Sequence, residues 1–549
     1  MRSTPPSRPI TGSGLPDPLR NAFALEAESR RRGIPVAELA GERDERRRES
    51  ASPERRFSRR ALLGGATALA AGALVAPLTS RARASAATAP RIVIIGGGLA
   101  GLRCAHLLWN QARPLASTVY DADTTHIGGR CWSLRGFYDA GQVSEHGGSF
   151  ISSTDTAALA LAKSLGLKTE FANGGELTKG DYAGWINNAP YNGTRQQSDW
   201  TADAYTAFHN SYTAMGTPRY NAYTPAARQL DQMSCLDYLS SIGLSSGAPL
   251  TQLIESIQLQ SGGGPDEASA VGMIGFLGAS STFDGGPGFD EKYHIAGGND
   301  GLVTGMLAQL PSGTVRQGYE LIALARNTDG SYACTFNNGG TTVCVQADHV
   351  VLALPFATLR NVDLTKAGLS SLKTTAIQQQ GMGQNAKLVL QLTEKTWPSA
   401  GFNGVSNTGP SGYQTAWDGS VDLGANGSPA LLVNFPGGDV ARTTLTGAAH
   451  GPAPAADVTW FLDQIENVFP GTTAAYNGKA YEDHWSLDPW HQGAYHFYKV
   501  GQYTTFAGYE AVQEGNIHFA GEHTDVDNAT LNAAVASGER AAAEINTQV

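Results

Sequence analysis

The run Arg91-Ile92-Val93-Ile94-Ile95 is β-branched and apolar after its first residue, the pattern of a parallel strand covered on both faces. Gly96-Gly97-Gly98-Leu99-Ala100-Gly101 follows at once, residues 102–109 then take helical spacing, and residues 117–121 read as a second strand, so this stretch predicts a βαβ unit. From about residue 154 to residue 260 apolar positions recur at helical intervals, as in Ala157-Ala158-Leu159-Ala160-Leu161-Ala162. Strand patterns return at residues 320–326, 332–336, 341–345 and 350–354, and again at 386–392 and 430–434. The C-terminal end, 517–520 and then 532–545, predicts a strand, a turn and a helix. The Gly/Ser-rich stretches 261–265 and 280–288 predict loops.

Composition narrows the class. A chain of 549 residues, 41% hydrophobic, is long enough for two or more domains with large cores, and its 66 glycines favour a nucleotide-binding α/β enzyme over a helical bundle. The net charge of −10 is uneven: residues 1–86 carry +7 and the remainder −17. An acidic body repels phosphate backbones, which argues against nucleic acid and suits a cationic substrate.

Residues 1–56 are rich in Pro, Ser, Arg and Glu and predict a disordered leader. Ser58-Arg59-Arg60-Ala61-Leu62-Leu63, a Gly/Ala/Leu run to about residue 80, and Ala82-Arg83-Ala84-Ser85-Ala86 have the three parts of a twin-arginine export signal. The expectation is a cleaved signal within residues 1–86, no stable membrane anchor, and a periplasmic or extracellular protein.

Chemistry-bearing residues gather around the glycines. In G-x-G-x-x-G between strand and helix, Gly96 makes the turn, Gly98 lets the backbone approach a pyrophosphate, and Gly101 lets the helix pack on the strand. Asp121, 25 residues after Gly96 at the end of the second strand, is placed to bind ribose hydroxyls. Gly128-Gly129-Arg130 follows, with an arginine able to fork onto phosphate oxygens. The five cysteines show no metal-ligand spacing and no matching histidine cluster, so no metal is expected. Cys334 and Cys344 flank a hairpin turn at Asn337-Asn338-Gly339-Gly340, and either bridge across it or remain two separate thiols.

Asp121, Gly128-Gly129-Arg130, Glu145-His146-Gly147-Gly148-Ser149-Phe150 and His518-Phe519-Ala520-Gly521-Glu522-His523-Thr524, with the helix after it, resemble the flavin-containing amine oxidase family of monoamine, polyamine and L-amino acid oxidases over residues 90–545. His294–Leu302 resembles the family's Gly-Gly-x-x-x-Leu return into the flavin domain. The resemblance implies an α/β protein with an α+β substrate part. A Rossmann-like FAD domain is expected from residues 88–155, 290–365 and 500–549, and a mixed-sheet and helical substrate domain from 156–289 and 366–499. It implies FAD held by Gly96, Gly98, Gly101, Asp121, Gly129, Arg130, Gly147, Gly148, Ser149, Leu321 (near the adenine), Gly521, Glu522 and Leu531.

The resemblance also implies FAD-dependent oxidation of an amine to an imine. Lys387 falls at the lysine beside the flavin, and Tyr495 at one of two aromatic residues flanking the amine. Thr530 stands at the second aromatic position, so the aromatic pair is incomplete. Ala494 replaces the cysteine that tethers flavin in some members, which implies noncovalent FAD, and Phe150 stands where amino acid oxidases carry a carboxylate-binding arginine. Alternatives are a flavin oxidase or desaturase acting on a C–C or C–O bond, or an L-amino acid oxidase. Expected partners are a small amine, oxygen or a redox-protein acceptor, and a second copy if the chain forms a homodimer.

Overall fold

The computed structural model describes residues 89–549 apart from 173–179, 284–289, 422–428 and 527–528; the expected leader and export signal lie outside the described residues. Residues 87–549 form one compact unit. Its centre is a five-stranded parallel sheet in the order Ile517–Phe519, His349–Leu352, Ile92–Ile95, Ser117–Asp121, Val315–Gln317. Ile92–Ile95 is buried along its whole length because both faces are covered. Ile92 and Ile94 pack on the helices Leu99–Trp109 and Leu531–Asn546, while Val93 and Ile95 join a core with Leu321, Leu324, Tyr332 and Phe336 of a four-stranded sheet. The two helices cross closely at Gly538, where a Cβ would lie 2.3 Å from the Ala100 carbonyl oxygen.

An eight-stranded sheet forms the second layered region, in the order His450–Pro452, Tyr476–His484, Ala386–Leu392, Ala430–Asn434, Thr415–Asp418, Phe402–Thr408, Asp181–Ile186, Ala189–Pro190. One face packs Leu388, Leu390 and Leu432 against Val458, Phe461 and Ile465 of the helix Ala455–Ile465. Helices between Gly193 and Leu277 make a separate core around Trp200, Phe208 and Ile254.

The expected strands 117–121, 320–326, 386–392 and 430–434 have those bounds, and the other expected strands shift at their ends by one or two residues. The region expected to be helical, 154–260, also contains Thr169–Phe171, Asp181–Ile186 and Ala189–Pro190. Two of these strands are held by distant partners, Thr169–Phe171 by Tyr293–Ile295 and Asp181–Ile186 by Phe402–Thr408, a tertiary choice that local periodicity does not carry.

Asn338 and Thr341 pair across a two-residue turn in which Gly339 and Gly340 take φ of 58° and 87°. Cys334 lies opposite Val345 and Cys344 opposite Thr335, a one-residue offset that sends the thiols to opposite faces. Cys334 is buried, Cys344 is exposed and both are free, so of the two alternatives the structure takes two separate thiols.

Candidate active site

A cavity of about 1380 Å³ runs between the glycine-rich turns and the eight-stranded sheet. Every expected site residue lines it except Gly101. Gly101 acts in packing: a Cβ there would lie 2.0 Å from the Gly96 carbonyl oxygen, so the helix could not approach the strand. Gly96 has φ of 108°, and a Cβ on it would strike the Ala353 carbonyl oxygen at 2.4 Å. At Gly98 a Cβ would meet nothing closer than 3.8 Å, which leaves open space above the backbone. Gly98 also caps the helix Leu99–Trp109 without a side-chain bond, so its first-turn N–H groups are available at the cavity wall.

Asp121 sits at the end of its strand, where Oδ2 accepts from Gly97 N at 2.5 Å and Oδ1 from Asp123 N at 2.8 Å. Burial raises its pKa, and these two bonds oppose the rise. Gly129, with φ of 60°, passes so near Gly98 that a Cβ would lie 3.3 Å from the Gly98 Cα. Arg130 Nη2 pairs with Glu522 Oε1 at 2.9 Å, while its buried Nη1 has no partner among the described residues. Burial would raise the Glu522 pKa, but the charges of Arg130 and His496 outweigh it and hold the carboxyl well below the usual range. Gly147 and Gly148 complete the cradle: Cβ atoms would lie 1.9 Å from the Arg130 carbonyl oxygen and 2.6 Å from Leu531 Cδ2. Leu321 is buried in the cavity wall, Gly521 takes φ of 131°, and Leu531 opens the helix Leu531–Asn546.

These features fit FAD. An open helix N-terminus, glycines stripped of side chains where the backbone must be approached, and a buried guanidinium nitrogen with no partner all suit a diphosphate. Asp121 suits a ribose, and Leu321 suits an apolar ring. FAD held there would supply a two-electron acceptor beside the second half of the cavity.

That half contains Lys387 and Tyr495. In the strand Ala386–Leu392, alternation sends Leu388 and Leu390 into the core and Lys387 to the cavity side. Lys387 Nζ donates to the carbonyls of Glu145, at 3.0 Å, and Gly147, and to Ser149 Oγ at 2.7 Å. The ammonium therefore ties the Glu145–Ser149 segment to the sheet. Burial lowers the Lys387 pKa and raises that of Glu145. Tyr495 OH donates to the Gln260 carbonyl at 2.5 Å, which fixes its ring at the wall. Thr530 lines the cavity, and its hydroxyl also caps the terminal helix, accepting from Ala533 N at 3.2 Å. The helix begins at Leu531, one residue before the expectation, because of this cap. Two aromatic walls come from places the motifs do not mark, Trp417 and Phe435: Trp417 lies 5.5 Å from Phe150 of the Glu145–Phe150 motif and 5.6 Å from Phe435, and all three line the cavity. Arg219 also reaches the wall.

Several further residues escaped the sequence reading. Asn299, in the Gly-Gly-x-x-x-Leu return, donates to the Gly148 and Ser149 carbonyls at 2.9 and 3.0 Å and pins the cradle. Atoms of His146, His450 and Asp483 lie within 4.8 Å of one another. His146 lies 337 residues from Asp483 in sequence, and no local spacing announces the group. Asp483 Oδ1 lies 2.7 Å from His146 Nδ1 and 2.6 Å from His450 Nδ1. His450 Nε2 lies 3.1 Å from Asp488 Oδ2, and Asp488 Oδ1 lies 2.9 Å from His491 Nδ1. The chain ends beside the cradle, where His491 Nε2 is 3.5 Å from the Cβ position of Gly129.

Burial lowers the His450 pKa, but the carboxylates of Asp483 and Asp488 more than reverse this and raise it to about 9. A histidine raised above its unfolded value of about 6.5 contributes stability that is full below pH 6.5 and lost as pH rises through 9. Unfolding free energy is expected to fall by on the order of 3 kcal/mol across that window. Denaturant titration of the parent and of His450→Gln checks this, and an equal fall in both would remove His450 as its source.

The profile of the family described as "Flavin containing amine oxidoreductase" matches residues 99–546. The chain is 26% identical over 511 residues to a nicotine dehydrogenase of Pseudomonas putida, covering 89% of this chain and 97% of that one. It is 24% identical to an L-amino-acid oxidase of Siganus canaliculatus, covering 84% of this chain and 86% of that one. Among solved structures, cyclohexylamine oxidase from Brevibacterium oxydans superposes with a TM-score of 0.72 at 19% identity, covering 84% of this chain and 99% of that chain. Putrescine oxidase bound to putrescine superposes with a TM-score of 0.69 at 20% identity, covering 83% and 99%. The structural likeness supports the α/β fold, and the profile spans the cradle and the cavity: the chain belongs to the flavin-containing amine oxidoreductase family and is an FAD-dependent oxidoreductase acting on amines.

Proposed function

We propose that this chain is an exported oxidase or dehydrogenase of a small cationic amine, holding FAD without a covalent bond. The carrying observation is that Lys387 and Tyr495 share one cavity with the glycine cradle. Buried polar groups meet apolar and aromatic walls there, so the amine can be stripped of water and held against the cofactor. Tyr495, locked by Gln260, supplies one ring face. Lys387 holds the Glu145–Ser149 segment and keeps a cation at the wall, and oxygen or a redox protein takes the electrons.

Noncovalent attachment rests on Ala494 at the tether position and on Cys131. That cysteine lines the cavity, but its thiol donates to the Asn299 carbonyl at 3.4 Å, and burial raises its pKa well above the usual value. Export rests on the Arg59-Arg60 segment and the small residues before Ala86. Among the described residues no helix is long and apolar enough to cross a membrane.

The test is an anaerobic screen of primary, secondary and polyamines for bleaching of the bound flavin. Bleaching by at least one is expected, and a flavin that no amine reduces would overturn the substrate class. Acid precipitation of the same preparation should leave the yellow colour in the supernatant. Colour retained in the pellet would show a covalent bond.

A further inference from the structure

Glu291 lines the same cavity, yet no sequence motif marks it. Its backbone has φ of 42°, a conformation that side-chain-bearing residues seldom adopt. Both flanks hold it there. Ser153 donates from N and Oγ to the Asp290 carboxylate at 2.8 and 2.6 Å, and Glu291 N donates to Ser152 Oγ at 3.2 Å. On the other side Tyr293 and Ile151 exchange backbone bonds at 2.7 and 2.9 Å. The side chain is thus aimed from a pinned loop, and its carboxylate accepts no hydrogen bond from the described residues.

The groups that act on it electrostatically are Lys387 from the strand Ala386–Leu392, Asp155 before the helix Thr156–Ser164, and its neighbour Asp290. Tyr495, which lines the same cavity, feels its charge in turn. Lys387 already has three acceptors, so its ammonium does not bond this carboxylate. A half-buried carboxylate without a bonded partner, facing a cavity walled by Tyr495, Trp417 and Phe435, is a site for a cation that brings its own N–H donors.

We propose that Glu291 is the specificity residue that recognises the substrate as an ammonium ion and takes its proton, delivering the neutral amine to the site. The inference rests on the amine-oxidising reading above. The step balances: an N–H bond of the ammonium breaks, an O–H bond forms on the carboxylate, and the amine keeps the nitrogen lone pair that oxidation requires. Burial raises the Glu291 pKa to about 7, with Lys387 opposing and Asp155 and Asp290 adding. The carboxylate is then a better proton acceptor than an exposed glutamate, and it is charged, and so competent to bind an ammonium, above about pH 7.

The test compares the holoenzyme with Glu291→Gln and Glu291→Asp, each checked for flavin spectrum and thermal stability. Cyclohexylamine, putrescine and N-methylpyrrolidine are titrated anaerobically by calorimetry from pH 5.5 to 9. For at least one probe, parent binding should strengthen as pH rises through about 7, be at least about tenfold weaker in Glu291→Gln with the inflection gone, and recover in part in Glu291→Asp. Equal affinity and an equal pH profile in parent and Glu291→Gln would overturn the assignment, as would binding of none of the three to the parent. Binding that depends on Glu291 without flavin reduction would instead overturn the amine-oxidising reading and leave the cation site standing. Reduction that Glu291→Gln does not change would do the reverse.

Discussion

Asp121→Ala is expected to purify folded and colourless. Both carboxylate oxygens lie at the cavity wall, held by Gly97 N and Asp123 N in the orientation a ribose needs. Charge-assisted bonds from two ribose hydroxyls contribute about 1.5–3 kcal/mol each, so their loss should weaken FAD binding by roughly a hundredfold or more. The fold should survive, because the strand Ser117–Asp121 stays paired on both sides with Ile92–Ile95 and Val315–Gln317. Asp121→Asn separates the two roles of the carboxylate: it keeps the shape and one acceptor and should retain FAD better than the alanine variant. Fluorescence titration of apoprotein with FAD measures the effect, with circular dichroism as the control for folding. Affinity equal to that of the parent would show that Asp121 is not the ribose ligand.

Lys387→Met is expected to act twice. Removing the ammonium leaves the Glu145 and Gly147 carbonyls and Ser149 Oγ without a donor in a buried place, at a cost of about 1–3 kcal/mol each. Thermal stability should therefore fall measurably in the apoprotein as well as the holoenzyme. The cavity wall also loses a positive charge, and passage of electrons to oxygen develops negative charge, so that half-reaction should slow much more than reduction by substrate. Stopped-flow measurement of each half-reaction, repeated with an artificial acceptor, separates electrostatic from structural loss. Unchanged reoxidation by oxygen with lowered stability would leave Lys387 as a strut alone. Unchanged stability would contradict the bonds described above.

The parts legible in the sequence are those in which short-range pattern and local chemistry coincide. Ile92–Ile95 reads as a doubly covered strand because nothing polar interrupts it, and the glycines after it read as a cradle because their spacing is that of a turn, an approach and a packing contact. Asp121, Arg130 and Glu522 were visible for the same reason, each fixed a few residues from a glycine turn. Lys387 stood out as a charge within an apolar strand, although its three acceptors could not be seen.

What tertiary structure alone decided depends on segments distant in sequence. The strands at Thr169–Phe171 and Asp181–Ile186 exist because partners more than a hundred residues away pair with them. The Cys334 and Cys344 thiols are separated by one step of register that the turn sets, so both cysteines were visible and their incompatibility was not. His146, His450, Asp483, Asp488 and His491 meet because strand pairing sets His450 beside Asp483 and the Glu145–Ser149 segment packs onto that strand, and a hydrogen bond spanning 337 residues leaves no periodic trace. Glu291 shows the same limit at the substrate: one of two adjacent acids beside a glycine-rich stretch, it carries no signal until the pinned loop turns it into the cavity, where burial and the lack of a bonded partner give it chemistry.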